Sequence, residues 1–205
     1  ENAQPMVIRH KKGNLAVVEF GGEELRNEAT TLGAEYIHSE KEFYTFIQKM
    51  IPVFQERNAI KLSCKKAAME DDEIFEKISE MQPYFIFISD LVEYAKVLNG
   101  DVAREWNLSG AITNFQEKGS MLHIYFFAAF NWDKRAEVLG EGVYESFIRY
   151  KNGIHLGGYA DAQSALEFQD IPFRVLSSAD KPGCGMATSN DMSASVRIVT
   201  PFARG

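Results

Sequence analysis

The residues best placed for chemistry are Ser89 and Asp90, which follow an uninterrupted run of large apolar residues, Tyr84–Ile88. A run without alternation is typical of a parallel strand that is covered on both faces. Because open α/β sheets bind ligands at the carboxyl ends of their strands, the Asp90 carboxylate stands where it could hold a divalent cation. An aspartate after a strand also commonly caps the next helix, so capping is the alternative role.

The residues around Asp90 match only some of the sequence motifs of a nucleoside triphosphatase. In such enzymes the aspartate of the Walker B motif binds Mg²⁺, and a glutamate one residue later prepares the attacking water. Here Leu91 stands in the second place, and no Gly-x-x-x-x-Gly-Lys-Ser/Thr run occurs to wrap the phosphates. We therefore expect no cofactor in this chain, whereas ATP and Mg²⁺ remain possible in a longer parent protein.

Three further polar residues could contribute to nucleotide chemistry. A second apolar run, residues 121–127, is followed closely by Phe130 and Asn131. In a motor protein a polar residue here senses the γ-phosphate, and an ordinary strand-to-loop transition is the alternative. Arg149 and Arg57 could reach the phosphates bound by a neighbouring protomer. Surface or helix-end positions are the ordinary roles for both arginines.

Composition limits the function classes. The 205 residues are 45% hydrophobic, enough for a sizeable core. The formal net charge of −7 argues against non-specific binding of nucleic acid. No apolar run approaches the ~20 residues that span a bilayer. The two cysteines and four histidines lack metal-ligand spacing, so no metal site is predicted. Because the chain begins with Glu1 rather than Met, we expect a fragment of a longer protein.

Strand patterns alternate with helical ones along the chain, which predicts a mostly parallel sheet flanked by helices. Strands are predicted at residues 14–20, near 37, and at 84–89, 121–128, 153–158, 185–188 and 194–199. Helices are predicted at residues 39–58, 71–81, 91–98, 102–118, 134–139, 141–150 and 160–168. The first of these begins with a Ser-x-x-Glu capping box at Ser39.

In their order, these segments resemble the FtsK/SpoIIIE-type ATPases. The resemblance is carried by residues 14–22, 35–58, 83–91, 119–129, 148–158 with 162, 163 and 168 beyond, 182–187 and 196–201. Residues 83–91 match the Walker B strand, and residues 182–187 match a closing glycine-rich hairpin. The Leu-Gly-Gly at 156–158 and the degenerate Walker B strand are similar to one subgroup. This subgroup is the C-terminal ATPase domain of the membrane-anchored coupling protein of type VII secretion, of the Firmicutes kind.

The resemblance implies a RecA-like P-loop NTPase fold without its P-loop, as a single domain over residues 1–205 of a multi-ATPase protein. It implies a degenerate module with a structural, regulatory or substrate-docking role on the cytoplasmic side of the membrane. The implied partners are other ATPase domains of the same chain, neighbouring protomers of a hexamer, and WXG-type secreted substrates; nucleic acid is not expected. The alternatives are a nucleotide-binding motor domain of a DNA translocase, or an unrelated α/β enzyme that uses Asp90.

Overall fold

A computed structural model describes residues 13–188 and 195–199 of the chain. The chain divides into two compact units, Glu1–Val143 and Tyr144–Gly205. The first contains a parallel sheet with its helices, and the second contains a small antiparallel sheet. The assignment of residues 1–205 to a single ATPase domain stays a prediction.

The first unit is built on four parallel strands, β1 (Asn14–Val18), β2 (Glu35–Ile37), β3 (Tyr84–Ile88) and β4 (Ile124–Ala128), in the order β2-β1-β3-β4. The last residues of β1, β3 and β4 are in register, since Val18 pairs with Ile88 and Ile88 with Ala128. The predicted α/β fold with a parallel sheet is confirmed. Residues that follow these three strands therefore meet at one edge of the sheet.

Helices flank the sheet of the first unit, and the second unit also contains helical segments. They are α1 (Arg26–Leu32), α2 (Glu40–Lys66), α3 (Asp71–Ser79), α4 (Leu91–Leu98), α5 (Asp101–Glu105), α6 (Leu108–Lys118), α7 (Gly142–Ile148) and α8 (Phe173–Leu176). In the part of the chain that the structure describes, 3-10 turns lie at Ser120–Leu122, Trp132–Glu137 and Ala160–Ala162. Among the described residues, no helix is long and apolar enough to cross a membrane.

Helix α2 begins as predicted and ends later. The Ser39 hydroxyl accepts a hydrogen bond from the Glu42 amide, and the Glu42 carboxylate accepts one from the His38 amide. The predicted break near Asn58 is wrong, because the buried stripe of the helix continues through Arg57 and Cys64. Packing of that stripe outweighs the weak helix preference of a single asparagine.

Two predicted element boundaries fail at residues with positive φ. The helix predicted over residues 102–118 is two helices, because Asn107 adopts a left-handed conformation with φ of 51°. His123, predicted to lie inside a strand, has φ of 58° and ends the 3-10 turn before β4. Its ring Nδ1 lies 3.0 Å from the Met81 carbonyl oxygen. Asparagine and histidine are among the residues that tolerate this conformation, but their sequence pattern does not announce it.

One face of β3 is partly open, which corrects the prediction that the strand is covered on both faces. Ile86 and Ile88 are buried, whereas the side chain of Phe87 is 42% exposed. Phe87 stacks on Phe127 of β4, with ring centroids 4.8 Å apart, and Phe127 is 46% exposed. The apolar run is explained by this cross-strand aromatic pairing on one face and by core packing on the other.

The second unit contains an antiparallel sheet of three strands, β5 (Ile154–Gly158), β6 (Asp180–Ala187) and β7 (Val196–Val199), in that order. The strands predicted at residues 153–158, 185–188 and 194–199 overlap these three, and β6 begins earlier than predicted. A Cβ atom on Gly185 would lie 1.9 Å from the His155 carbonyl oxygen, so the β5–β6 pairing requires glycine there. The helix predicted over residues 160–168 is wrong beyond the 3-10 turn at its start.

Candidate functional site

Asp90 is the N-cap of α4 at the carboxyl end of β3. Its Oδ1 atom accepts hydrogen bonds from the Val92 amide at 2.8 Å and from the Glu93 amide at 3.4 Å. Asp90 itself is extended, with φ −142° and ψ 113°, as an N-cap residue should be. The geometry is therefore that of the capping alternative, and it fixes the carboxylate by two backbone donors of its own helix.

The second carboxylate oxygen of Asp90 faces a lysine. Lys134 Nζ lies 3.5 Å from Asp90 Oδ2, and the side chains of Lys134 and Asp90 are 44% and 31% exposed. Lys134 belongs to the 3-10 turn Trp132–Glu137, which follows β4. This ion pair therefore connects the segments that follow two neighbouring strands of the sheet.

Asn131, predicted at the position of a γ-phosphate sensor, has a local role in the structure. Its side-chain oxygen accepts a hydrogen bond from the Asp133 amide at 3.1 Å and so caps the turn Trp132–Glu137. Ser89, the residue before Asp90, is half-buried, and its amide donates to the Val18 carbonyl at 2.9 Å. Asp90 and Asn131 thus each cap the element that follows its own strand.

Leu91, which follows Asp90 where a hydrolytic glutamate was looked for in the sequence, belongs to the core. Its side chain is 2% exposed, and its amide donates to the Ala129 carbonyl at 2.9 Å, so it ties α4 to the segment after β4. A buried leucine can neither accept a proton nor orient a water molecule. The position therefore offers no general base.

The residues at this edge do not fit the Mg²⁺ ion that the fold family implies. Mg²⁺ requires near-octahedral oxygen ligands. The Asp90 carboxylate is taken by two amides and an ammonium group, and the Asn131 oxygen is taken by an amide. In residues 13–188 and 195–199, no group of three or more His, Cys, Asp or Glu side chains could hold a metal ion.

Glu19, which sequence reasoning missed, organises the loop after β1. Its buried carboxylate accepts hydrogen bonds from the Glu24 amide at 3.1 Å, the Leu25 amide at 3.0 Å and the Tyr36 hydroxyl at 2.7 Å. Burial, and then the hydrogen bond to Glu19, raise the pKa of Tyr36 to about 12. From the sequence, a glutamate at the end of a strand that is buried and hydrogen-bonded cannot be distinguished from one that is exposed.

Arg57 is a structural residue, which contradicts the idea that it could act on a neighbouring protomer. It is 2% exposed and donates to the carbonyls of Leu122 at 2.8 Å, His123 at 3.0 Å and Gln82 at 2.5 Å. Burial lowers its pKa. These carbonyls precede β3 and β4, at the opposite edge of the sheet from Asp90. Arg57 is therefore an internal clamp between two strand entries.

Arg149, the other predicted trans-acting arginine, lies in the second unit. It is exposed and lines a shallow depression together with Lys151, Glu167 and Gln169. Lys151 Nζ lies 3.3 Å from Glu167 Oε2 in the same depression. The role of Arg149 toward a neighbouring protomer stays a prediction.

Comparisons with known proteins show similarity at the level of the fold. No protein-family model matches the chain, and no curated protein matches it. Among solved structures, the chain is similar to the cytoplasmic domain of EssC, with a TM-score of 0.69 and 14% identity over 92% of this chain and 33% of that one.

A conjugation coupling protein, TcpA of pCW3, solved as a monomer with ATPγS, has a TM-score of 0.60 and 12% identity over 92% of this chain and 52% of that one. The cytoplasmic domain of the type VII secretion ATPase EccC of Thermomonospora curvata has a TM-score of 0.57 and 14% identity over 97% of this chain and 21% of that one. The chain spans about a third of the length of the EssC cytoplasmic domain. At these identities the comparisons establish a shared fold with ATPase domains.

Proposed function

We propose that the chain is a degenerate ATPase module of the membrane-anchored motor of type VII secretion, with a structural, regulatory or substrate-docking role. The observation that carries the proposal is the geometry of Asp90, whose carboxylate caps α4 and pairs with Lys134. Such a residue stabilises the strand ends and does not hold a metal ion. Leu91, buried where a hydrolytic glutamate would stand, supports the same reading.

The system is proposed from two kinds of support. The order of the sequence segments resembles the C-terminal ATPase domain of the type VII coupling protein, and the similar folds include EssC and a type VII secretion ATPase, EccC. The chain covers only a third and a fifth of those two chains. We therefore propose that its partners are further ATPase domains of one polypeptide, the protomers of a hexamer, and WXG-type substrates at the cytoplasmic side of the membrane.

The proposal is tested by ATP turnover and by export. The chain alone should hydrolyse ATP no faster than its Asp90→Asn variant. In cells, the Asp90→Asn parent protein should still export WXG-type substrates, whereas deletion of the whole module should stop export. Robust turnover that Asp90→Asn abolishes would refute the degenerate role. Unchanged export after deletion of the module would refute its place in the secretion motor.

The alternative is a nucleotide-binding motor domain of a DNA translocase. The similarity to the coupling protein TcpA is the observation in its favour. The net charge of −7 opposes it, because DNA binding without sequence preference depends on neutralising phosphates. Binding of a 30-base-pair duplex that weakens steeply with added salt would support the translocase. No binding at low salt would exclude it for this chain.

A further inference from the structure

We infer that Lys134 supplies the cation at Asp90 from within the chain and keeps divalent metal ions away from this edge of the sheet. The inference deepens the proposed function, since it names the feature that replaces the metal in a degenerate module. It rests on the distance of 3.5 Å between Lys134 Nζ and Asp90 Oδ2, and on the two amides that occupy Oδ1.

Beside the Asp90–Lys134 pair, a second lysine is shared by two glutamates. Lys96 Nζ lies 2.8 Å from Glu93 Oε1 and 3.3 Å from Glu137 Oε2. Glu93 follows Asp90 by one helical turn, and Glu137 belongs to the same 3-10 turn as Lys134. A divalent cation approaching Asp90 would therefore meet ammonium groups as well as carboxylates, and it would have to displace Lys134 to reach Asp90 Oδ2.

The origin of Lys134 explains why it can take the place of a metal. Lys134 comes from the turn after β4 and Asp90 from the end of β3, so the ion pair joins the segments that follow two neighbouring strands without a ligand. A tethered ammonium needs no ordered coordination shell, whereas Mg²⁺ would need several further oxygens.

The expected size of the effect follows from Coulomb's law. Removing one unit charge about 5 Å from a divalent ion in a solvated site changes its binding constant by about tenfold. The site is partly exposed, so added salt reduces this factor. The Lys134→Gln variant should therefore bind a divalent ion at Asp90 about tenfold more tightly than the native chain. The Lys134→Arg variant keeps the charge and should behave like the native chain.

The experiment is a Mn²⁺ titration at low salt, followed by paramagnetic broadening of the Val92 and Glu93 amide signals, whose nitrogens lie within 3.4 Å of Asp90 Oδ1. Lys49→Gln is the matched control, because Lys49 forms a similarly exposed ion pair with Glu35 at 2.7 Å near the other end of the sheet. The double variant Asp90→Asn/Lys134→Gln shows whether the ion sits at Asp90.

Broadening of both amides in Lys134→Gln at about a tenth of the Mn²⁺ concentration needed by the native chain, Lys134→Arg and Lys49→Gln supports the inference. Its loss in the double variant completes the support. Native broadening as strong as that of Lys134→Gln, or no gain in Lys134→Gln, overturns it. The ATP turnover and export tests are read separately, so either proposal can fail without the other.

Discussion

Lys134 Nζ lies 3.5 Å from Asp90 Oδ2, while Asp90 Oδ1 accepts the hydrogen bonds that cap α4. One carboxylate thus serves a local and a non-local purpose. The cap sets where α4 begins, and the ion pair holds the turn after β4 against that beginning. The Asp90 carboxylate is thus occupied by contacts within the fold.

The capping role of Asp90 can be measured by stability. Asp90→Ala should lower the free energy of unfolding by about 1 kcal/mol, because the Val92 and Glu93 amides lose their acceptor. Asp90→Ser keeps a capping oxygen and should lose less than half of that. Urea denaturation measures both values. A Mg²⁺-dependent rise in the stability of the native chain would contradict a role confined to capping and pairing.

The hydrogen bonds of buried Arg57 should contribute much more to the free energy of unfolding than the Asp90 cap does. Arg57→Met removes the donors to three carbonyls at the entries of β3 and β4 and should cost about 3 kcal/mol or more. Arg104, which is 71% exposed beside Asp101, provides the matched control, and Arg104→Met should change stability by less than about 0.5 kcal/mol. Equal losses for the two arginines in thermal or urea unfolding would contradict the clamp.

Local signals explain what could be predicted at the site. The Asp90 cap involves donors two and three residues away, and the Ser39 cap accepts from the Glu42 amide three residues later, so both are visible in the sequence. The parallel sheet also followed from the alternation of strand and helix patterns. These features depend on residues that are close in the chain.

The remaining features depend on residues that only the fold brings together. Arg57 and the carbonyl of Leu122 are 65 residues apart, and the pairing of Lys134 with Asp90 requires β3 and β4 to be neighbours. The open face at Phe87 was missed because an apolar run looks the same whether a ring is buried or stacked at a half-exposed surface. The helix break at Asn107 could not be predicted, because it depends on the positive φ angle of that residue, which the sequence does not reveal.

The two faces of β3 should respond differently to truncation. Ile86→Ala removes a side chain that is 1% exposed and should cost about 3 kcal/mol. Phe87→Ala removes a larger side chain, but it loses mainly the stack on Phe127 and should cost about 1 kcal/mol. Urea denaturation compares them directly. A larger loss for Phe87 than for Ile86 would restore the expectation that both faces are covered.

Loss of the hydroxyl group should affect stability differently at two tyrosines, because only one of the two hydroxyls has a hydrogen-bond partner. The hydroxyl of Tyr94 is buried without a partner among the described residues, and the Tyr94 ring packs against the rings of Phe20 and Phe43. Tyr94→Phe should therefore leave stability unchanged or raise it by up to about 1 kcal/mol. Tyr36→Phe loses the bond to the Glu19 carboxylate and should cost about 2 kcal/mol. Thermal unfolding that ranks the two variants in the reverse order would contradict these assignments.

The raised pKa of Tyr36 predicts a loss of stability at alkaline pH. Burial, and then the hydrogen bond to Glu19, raise this pKa to about 12 from the ordinary tyrosine value of 10.0. Because the folded chain holds the proton more tightly than the unfolded chain, the stabilising contribution is complete below pH 10 and disappears as the pH rises to 12. The stability of the native chain should therefore fall more steeply over this range than that of Tyr36→Phe. Urea denaturation at pH 9, 10 and 11 measures both slopes, and parallel slopes would show that the Tyr36 hydroxyl is not held by Glu19.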